Sequence, residues 1–439
     1  MQNLYFEVNS LDQRTVEKFA ITEAVMMEHA AMGMAYFIRS HFVHNSTILI
    51  VCGDGNNGAD GRILARQLEG DYCISFHYQR DTHYDVIVDA LFGSGLNRAL
   101  DLEASELLDL LNTSNAFKIA CDVPSGLYAD GMLDPHAFKA DITVTMGALK
   151  RSLFSDAAKE YVGEIHVVNL GIARSRYEVA SSWHLLDPTD LSLPHRSKPS
   201  THKGSYGHLS VICGEKIGAS VIAGSAALRF GAGLVSLISN ENVSIPYELM
   251  QNHSLPSTTT AIALGMGLGV EFCDDELTCL LDHSLPLVLD ADIFYHPMFT
   301  KLLKRGSLVL TPHPKEFTQI LRICGIADIT TQTLQDNRFT YVEQFCAKFP
   351  NAVILLKGAN VIIGAHEEFY INPHGSVALA KGGSGDVLSG LIGALLAQGH
   401  TPLYAAIQSS LAHTLASQQF DKNNYALTPF DLIERITTL

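Results

Sequence analysis

The sequence predicts an α/β protein of two domains, and three observations carry that prediction. Short β-rich apolar runs alternate with helical stretches, which implies a mostly parallel sheet with helices on both faces. The alternation lapses once, between Leu186 and Gly204, in a stretch holding Pro188, Pro194, His195, Arg196, Lys198, Pro199, His202 and Lys203. The third is length: 439 residues exceed one core of ordinary size, at roughly 100–200 residues per domain. The boundary therefore falls near residue 190, with domains over 1–189 and 190–439.

At the N-terminus, Ser10-x-x-Gln13 reads as a capping box opening a helix through Val16, Phe19 and Ala20. A second helix runs from Thr22 to about Phe42, so two helices precede the first strand. Strands are then predicted at Thr47–Cys52, Asp85–Leu91, Phe117–Val123, Ile142–Met146 and Ile165–Leu170. After the linker they resume at Leu209–Cys213, Leu234–Ile238, Ala261–Leu264, Leu287–Leu289, Leu308–Leu310 and Val353–Leu356. Two long helices follow, from Asp386 and from Pro402. No internal repeat relates the halves, which points to two different α/β folds.

A composition of 47% hydrophobic and 17% charged residues belongs to a globular protein, and a formal charge of -16 disfavours nucleic acid and anionic membrane as partners. Small molecules are the expected partners. Eight cysteines, at 52, 73, 121, 213, 273, 279, 324 and 346, form no C-x-x-C pair and lie mostly inside apolar runs, which reads as reduced core thiols. The opening Met1–Glu7 lacks a basic start and an apolar core, and no stretch of ~20 apolar residues follows. A cytoplasmic location is expected. The methionines at 26, 27, 32 and 34 read as helix packing, the nineteen histidines as no recognised ligand set, and Phe230–Leu234 as a tight helix-to-strand junction.

The chemistry of the second half centres on Gly382-Gly383-Ser384-Gly385-Asp386. Apolar residues at Val387, Leu388, Leu391, Ile392, Leu395 and Leu396 mark one helical face closed by Gly399, so the glycines form the N-terminal mouth of a helix. Such a mouth presents unpaired N–H groups and the positive end of the helix dipole to phosphate oxygens. Asp386 is placed to take a proton from a hydroxyl as a phosphoryl group is transferred to it. A glycine turn with an N-capping aspartate is the bland alternative. Two further strand ends weigh against it. Thr311-Pro312-His313-Pro314-Lys315-Glu316 displays a His and a Glu after one strand, and Leu356-Lys357-Gly358-Ala359-Asn360 offers a lysine–glycine turn after another.

Together with His202-Lys203-Gly204-Ser205-Tyr206-Gly207, Gly218-Ala219 and Gly265-Met266-Gly267-Leu268-Gly269, these motifs resemble the ribokinase-like C-terminal half of the bifunctional NAD(P)H-hydrate repair enzymes, over nearly all of residues 190–439. The resemblance implies dehydration of the 6S hydrate of NADH or NADPH, driven by ADP or ATP with Mg2+. Hydroxide is a poor leaving group, its conjugate acid having a pKa of ~15.7, whereas a phosphate ester leaves as an anion whose second pKa is ~6. Phosphorylating the C6 hydroxyl makes expulsion feasible, and the ring nitrogen lone pair completes it. By the same resemblance Ala219, Gly267, His313 and Asp386 contact the hydrate, while Lys357, Gly358, Ala359, Asn360, Val361 and Gly385 contact the nucleotide. Met266, Lys315, Asn360-Val361 and Lys381 depart from the family pattern. Lys381 is expected to help hold a phosphate.

In the first half the strand Thr47–Cys52 runs into Gly53-Asp54-Gly55-Asn56-Asn57-Gly58-Ala59-Asp60-Gly61, with a helix expected from about Arg62. Glycines at such a turn suit a phosphate-bearing ligand, although this is not the dinucleotide fingerprint. Val88-Asp89-Ala90-Leu91-Phe92-Gly93-Ser94-Gly95 and Cys121-Asp122-Val123-Pro124-Ser125-Gly126 place two more carboxylates at strand ends, and three polar ends of one parallel sheet predict one pocket. Asn57, Asp89 and Ser125 supply hard oxygen donors suited to an alkali or other hard cation rather than zinc; capping is the alternative for Asp89 and Asp122.

These motifs, with Met27-Glu28-His29-Ala30-Ala31, resemble the NAD(P)H-hydrate epimerase half of the same family over about residues 8–180. The resemblance implies a Rossmann-like three-layer fold. It also implies hydrate contacts from Asn56, Asn57, Gly58, Ala59, Asp60, from Gly93, Ser94, Gly95, Leu96, Asn97, Arg98, Ala99 and from Asp122, with potassium held by Asn57, Asp89 and Ser125. Ala59 replaces a usual glycine and requires negative φ there. Asp122 is expected to shuttle a proton during epimerisation at C6, and a homo-oligomer is expected. Two alternatives stand: a ribokinase-like vitamin-precursor kinase, and an N-terminal half that binds without catalysing.

Overall fold

The computed structural model describes residues 1–80, 82–269 and 284–439. Cys273 and Cys279 lie outside them. The chain divides into two compact units, Gln2–His184 and Leu185–Leu439 together with Met1. Among the described residues no helix is long and apolar enough to cross a membrane.

In the first unit, β1 (Gln2–Tyr5), α1 (Asn9–Phe19) and α2 (Glu23–His41) lead into β2 (Thr47–Cys52), α3 (Asn56–Leu68), β3 (Cys73–Ser75), β4 (Val86–Ala90), α4 (Leu102–Asn112), β5 (Phe117–Cys121), β6 (Ile142–Met146), β7 (Leu149–Lys150) and β8 (Glu164–Val168), then a helical turn, α5 (Arg174–Tyr177). Six strands form an all-parallel sheet in the order β3-β2-β4-β5-β6-β8, and β1 pairs in parallel with β7. Successive residues of a strand face opposite sides, and both sides are buried. Ile48, Ile50, Val88 and Val144 pack with α2 and α3, whereas Leu49, Val51, Ile87 and Ala120 pack with Leu108 and Leu111 of α4. That is the predicted three-layer arrangement.

Several local expectations were displaced by one physical effect each. A strand, β1, precedes the two helices; its four residues are too few to show a period. Ser10 sits inside α1 rather than capping it, because Glu7 accepts from both the Ser10 amide (3.1 Å) and its hydroxyl (2.6 Å). Helix α3 starts six residues before Arg62, since Gly58 and Gly61 admit the helix against the sheet: a Cβ on Gly58 would lie 1.8 Å from Gly53 O, and one on Gly61 2.7 Å from Ala90 Cβ. Thr22, the predicted start of the second helix, is the N-cap of α2, its side chain accepting from Val25 N. Cys73, on the edge strand β3, is exposed rather than in the core; the six described cysteines are free thiols.

After β9 (Trp183–Leu185), the second unit contains β10 (His208–Ile212), α6 (Ile217–Arg229), β11 (Leu234–Ile238), β12 (Met250–Asn252), β13 (Ala261–Leu264), β14 (Leu287–Leu289), α7 (Phe299–Leu302), β15 (Leu308–Leu310), α8 (Pro314–Ile323), α9 (Thr331–Asp336), α10 (Arg338–Lys348), β16 (Ala352–Leu356), β17 (Val361–Ala365), β18 (Glu368–Asn372), α11 (Ser384–Ala397), α12 (Pro402–Gln418) and α13 (Pro429–Ile436). The strands run β12-β11-β10-β13-β14-β15-β16 in parallel, and β17 and β18 continue as an antiparallel hairpin. That hairpin was not read from the sequence.

Helix α11 is apolar nearly all round because it lies between the sheet and other helices. Glycines permit its close approach: a Cβ on Gly393 would meet Leu209 Cδ2 at 2.8 Å, and one on Gly390 would stand 2.2 Å from Ala223 O of α6. The first turn of α11 is thereby held firmly against the carboxyl edge of the sheet. Gly390→Ala is expected to lower the stability of this unit by about 1–3 kcal/mol in urea unfolding. Unchanged or increased stability would contradict the packing, since alanine is the better helix former by ~1 kcal/mol.

Candidate active sites

All strands from β10 to β16 are parallel, so their carboxyl ends lie along one edge, the usual ligand crevice of open α/β sheets. Four of these ends and the mouth of α11 make the second-unit site. After β13, Gly265 (φ 114°) and Gly267 (φ 66°) adopt conformations that suit glycine. A Cβ on Gly265 would strike Asp290 O at 1.8 Å; one on Gly267 would meet Lys216 O at 2.6 Å and Ala219 Cβ at 3.1 Å, which puts Ala219 and Gly267 side by side. After β14, the carboxylate of Asp290 is almost fully buried. Its Oδ1 accepts from Lys357 Nζ (3.0 Å) and Ala291 N (2.9 Å), and its Oδ2 from Ser389 Oγ of α11 (2.8 Å).

Lys357, at the end of β16, is the cation that the Asp290 carboxylate holds in place. Burial works against its charge, but Asp290 and then Glu316 outweigh burial and keep its pKa above the ordinary lysine value. A Cβ on Gly385 would come 3.4 Å from Lys357 Nζ, so Lys357 and the first turn of α11 converge. The turn after Lys357 is braced from below: one Arg338 nitrogen donates to the carbonyls of Leu356, Lys357 and Asn360 at 3.1–3.3 Å. Gly358 and Ala359 are exposed, and Asn360 and Val361 are buried.

Gly383, at φ 90°, caps α11, and Gly385 and Asp386 belong to its first turn. Burial, then the negative charge of Asp290, push the Asp386 pKa up to about 6. Buried His413 donates Nε2–H to Ser384 O (2.9 Å) and steadies the turn. His313 caps α8, accepting from Glu316 N at 3.3 Å while Glu316 Oε2 accepts from His313 N at 2.8 Å. Burial raises the Glu316 carboxyl to about 7. The Lys381 ammonium, expected to help hold a phosphate, donates to the Tyr425 carbonyl at 2.6 Å and is exposed. Asp290 and Ser389 were missed by sequence reading. Asp290 could have been found by the same reasoning that found Asp89, as a carboxylate following a buried strand.

In the first unit, a cavity of about 530 Å3 opens at the carboxyl ends of β2, β4 and β5. Its walls include Asn56, Asn57, Asp60, the run Gly93–Arg98 and Asp122, so the three strand ends do share one pocket. Gly58, Ala59, Ala99, Asp89 and Ser125 do not line it. Ala59 lies within α3 and is absent from the positive-φ residues, as its methyl group requires. Asp89 lies behind the pocket, fully buried: its oxygens accept from Ser125 N and Ser125 Oγ, each at 2.7 Å, and from Leu91 N at 3.1 Å. Burial lifts its pKa to about 6. Both amide atoms of Asn57 are buried without a partner, beside Gly93.

Asp122 has φ 68°, a left-handed conformation uncommon for a residue with a side chain. Its carboxylate receives Lys150 Nζ at 2.5 Å and the amides of Ser94 and Met146 at 3.3 Å. Burial would raise its pKa, but Lys150 prevails and holds it below the ordinary carboxylate value. Lys150 is wholly buried and also donates to Met146 O (2.7 Å) and Thr145 Oγ1 (3.0 Å). From α1, Asp12 reaches the pocket and accepts from Tyr177 OH at 2.7 Å. Lys150, Asp12 and Tyr177 carried no sequence signal, because helix packing and a chain reversal bring them in.

A three-layer α/β unit with a polar pocket and a second α/β unit with a glycine–aspartate helix mouth define a two-site enzyme. A family model described as NAD(P)H-hydrate dehydratase matches residues 209–438, and one described as YjeF-related protein N-terminus matches residues 23–81 and 73–152. The chain is 41% identical to the bifunctional NAD(P)H-hydrate repair enzyme Nnr of Helicobacter pylori over 100% of both chains. It is 31% identical to the enzyme of that name from Coxiella burnetii, over 94% of this chain and 93% of the other. The chain belongs to the bifunctional NAD(P)H-hydrate repair enzyme family. Among solved structures, a Bacillus subtilis ADP/ATP-dependent NAD(P)H-hydrate dehydratase co-crystallised with ATP/Mg2+ covers 56% of this chain and 92% of its own, at 28% identity and a TM-score of 0.48.

Removing one member of a buried ion pair strands the other. Lys150→Met is therefore expected to destabilise the first unit by about 3–5 kcal/mol, followed through the single Trp183 in unfolding experiments. The double variant Asp122→Asn/Lys150→Met should recover most of that loss, and additive losses would rule out the pairing.

Proposed function

We propose that the chain repairs hydrated nicotinamide dinucleotides in two steps, epimerising 6R and 6S hydrates in residues 1–189 and dehydrating the 6S hydrate in residues 190–439. The observation that carries this reading is the meeting of Lys357, Asp290 and the Gly385–Asp386 turn at one sheet edge. A fixed cation and a helix mouth can hold phosphates, and a carboxylate beside them can take the proton of the acceptor hydroxyl. ADP or ATP serves as donor, with Mg2+ neutralising charge on its phosphates.

Asp386 takes the C6 hydroxyl proton, the amides of the α11 mouth stabilise the transferring phosphoryl group, and the ring nitrogen lone pair then expels phosphate. Ala219, in the first turn of α6, and Gly267 beside it, with His313, form the side that receives the hydrate. Lys357, Gly358, Ala359, Asn360, Val361 and Gly385 form the nucleotide side. Full-length similarity to repair enzymes, with both halves matched, favours this reading over a vitamin-precursor kinase carrying an inert module.

In the first unit, Asn56, Asn57, Asp60, Gly93–Arg98 and Asp122 hold the hydrate. Potassium suits Asn57, Asp89 and Ser125: these are hard oxygen donors, and the buried Asn57 carbonyl oxygen lacks a partner. Such an ion, when bound, would offset the Asp89 charge and tie the first turn of α3 to the Ser125 loop. The two activities belong in one chain because water adds to either face of the ring, and a phosphorylating site presents only one epimer in line.

The test combines protein, hydrated NADH epimers, Mg2+ and either nucleotide. Recovery of NADH absorbance is expected, and its absence with both donors would refute the proposal. Asp386→Asn should lower the dehydration turnover by roughly 10²–10⁴-fold. Because Asp386 acts as a base, wild-type turnover should fall as pH drops through about 6, the pH at which that carboxyl takes up its proton. A rate that rises on acidification would assign the proton transfer to another group.

A further inference from the structure

Of the four carboxyl groups lining the first-unit pocket, Asp12, Asp54, Asp60 and Asp122, the last two stand in opposite electrostatic settings, and a hydroxyl-bearing carbon that must lose and regain its configuration needs both a proton donor and a proton acceptor. Asp122 is surrounded by donors: the Lys150 ammonium and the amides of Ser94 and Met146. Those contacts favour the carboxylate. Asp60, on α3, has the reverse environment. It is 9% exposed, its Oδ1 is buried with no hydrogen-bond partner, and it lines the same cavity. An unpaired buried carboxylate is costly, so the neutral acid is the form this position favours. Burial, and after it the charge of Asp122, raise its pKa to about 7. Environments that separate two titratable groups in this way mark an acid and a base.

We propose that Asp60 is the proton donor and Asp122 the proton acceptor of the epimerisation, with Lys150 a positioning residue that keeps Asp122 ionised. This rests on the epimerase reading of the first unit. The protonated Asp60 carboxyl gives its proton to the C6 hydroxyl as the C6–O bond breaks, its electron pair staying on oxygen, so that water departs. The N1 lone pair forms the N1=C6 bond of an iminium ion. Solvent water then adds to the other face of C6, the π pair returns to N1, and the proton released by that water passes to the Asp122 carboxylate. Solvent returns the proton from Asp122 to Asp60, a direction favoured by the Lys150 ammonium against Asp122. Carboxylate Asp122 also faces the iminium charge in the interval.

The proposal makes the oxygen at C6 exchange with solvent. Wild-type full-length protein acting on purified 6R hydrate in H2(18)O is expected to place one solvent oxygen at C6 for each inversion, above the uncatalysed background. Inversion with retention of the original oxygen would overturn the proposal, because no water would have left. Asp60→Asn keeps the shape and removes the proton; its kcat for 6R to 6S conversion should fall about 100-fold or more, with KM within about threefold. A loss confined to KM would show that Asp60 only binds. An unchanged kcat would remove it from the chemistry. Asp60→Glu, which restores a carboxyl, should regain at least a tenth of the wild-type kcat, and a Glu variant no better than the Asn variant would also count against the proposal. If wild-type protein fails to interconvert the epimers at all, the epimerase reading itself falls, whereas inversion that is indifferent to Asp60 refutes only this role.

Discussion

The carboxylate of Asp290 is sealed from water at the end of β14, and a buried charge persists only if donors surround it. Its three partners come from three places: the adjoining backbone at Ala291, Lys357 beyond β16, and Ser389 on α11. Satisfying one anion thus fixes the position of a cation and of a helix mouth relative to two strands. The backbone follows the same demand, since Ala291 adopts φ 52° and Gly265 must lack a side chain to clear Asp290 O. Without this node Lys357 would be a mobile surface charge, and the glycine-rich first turn of α11 would have no cation beside it.

The first unit solves a similar problem with two nodes rather than one. Asp89 gathers the loop after β5 through Ser125, and Asp122 gathers β6 and its continuation through Met146, Thr145 and Lys150. In both units a carboxylate at a strand end organises neighbouring loops, and a second carboxyl nearby remains free for chemistry. Asp386 and Asp60 are these free groups. Both have pKa values raised toward neutrality by burial, close to the range in which a carboxyl exchanges protons with a substrate.

Glycine serves helix packing here. Gly58 and Gly61 let α3 press on the sheet, and Gly390 and Gly393 do the same for α11. Each helix therefore presents its first turn at the sheet edge from a rigid base, which is what a site requiring sub-ångström placement demands. The Gly53–Gly61 segment illustrates how this misleads a reader of sequence: its glycines suggest a long loop, yet from Asn56 onward it is helix.

The sequence by itself determined the fold class, the parallel strands and most residues at their ends. Buried two-sided strands and glycine-rich ends leave local, periodic signals, as at Thr47–Cys52 and Gly382–Asp386. The β17–β18 hairpin, the late start assigned to α3 and the false capping box at Ser10 were decided by tertiary packing, or by a single competing side chain such as Glu7. The same holds for partners. Asn57, Asp122, Lys357 and Asp386 were legible as candidates, but that Lys357 is held by Asp290, Asp122 by Lys150, and Lys381 by the Tyr425 carbonyl could not be read, because each pair is joined through space by segments distant in the chain. Which carboxyl carries a charge and which a proton follows from those partners, and so only the folded structure decides it.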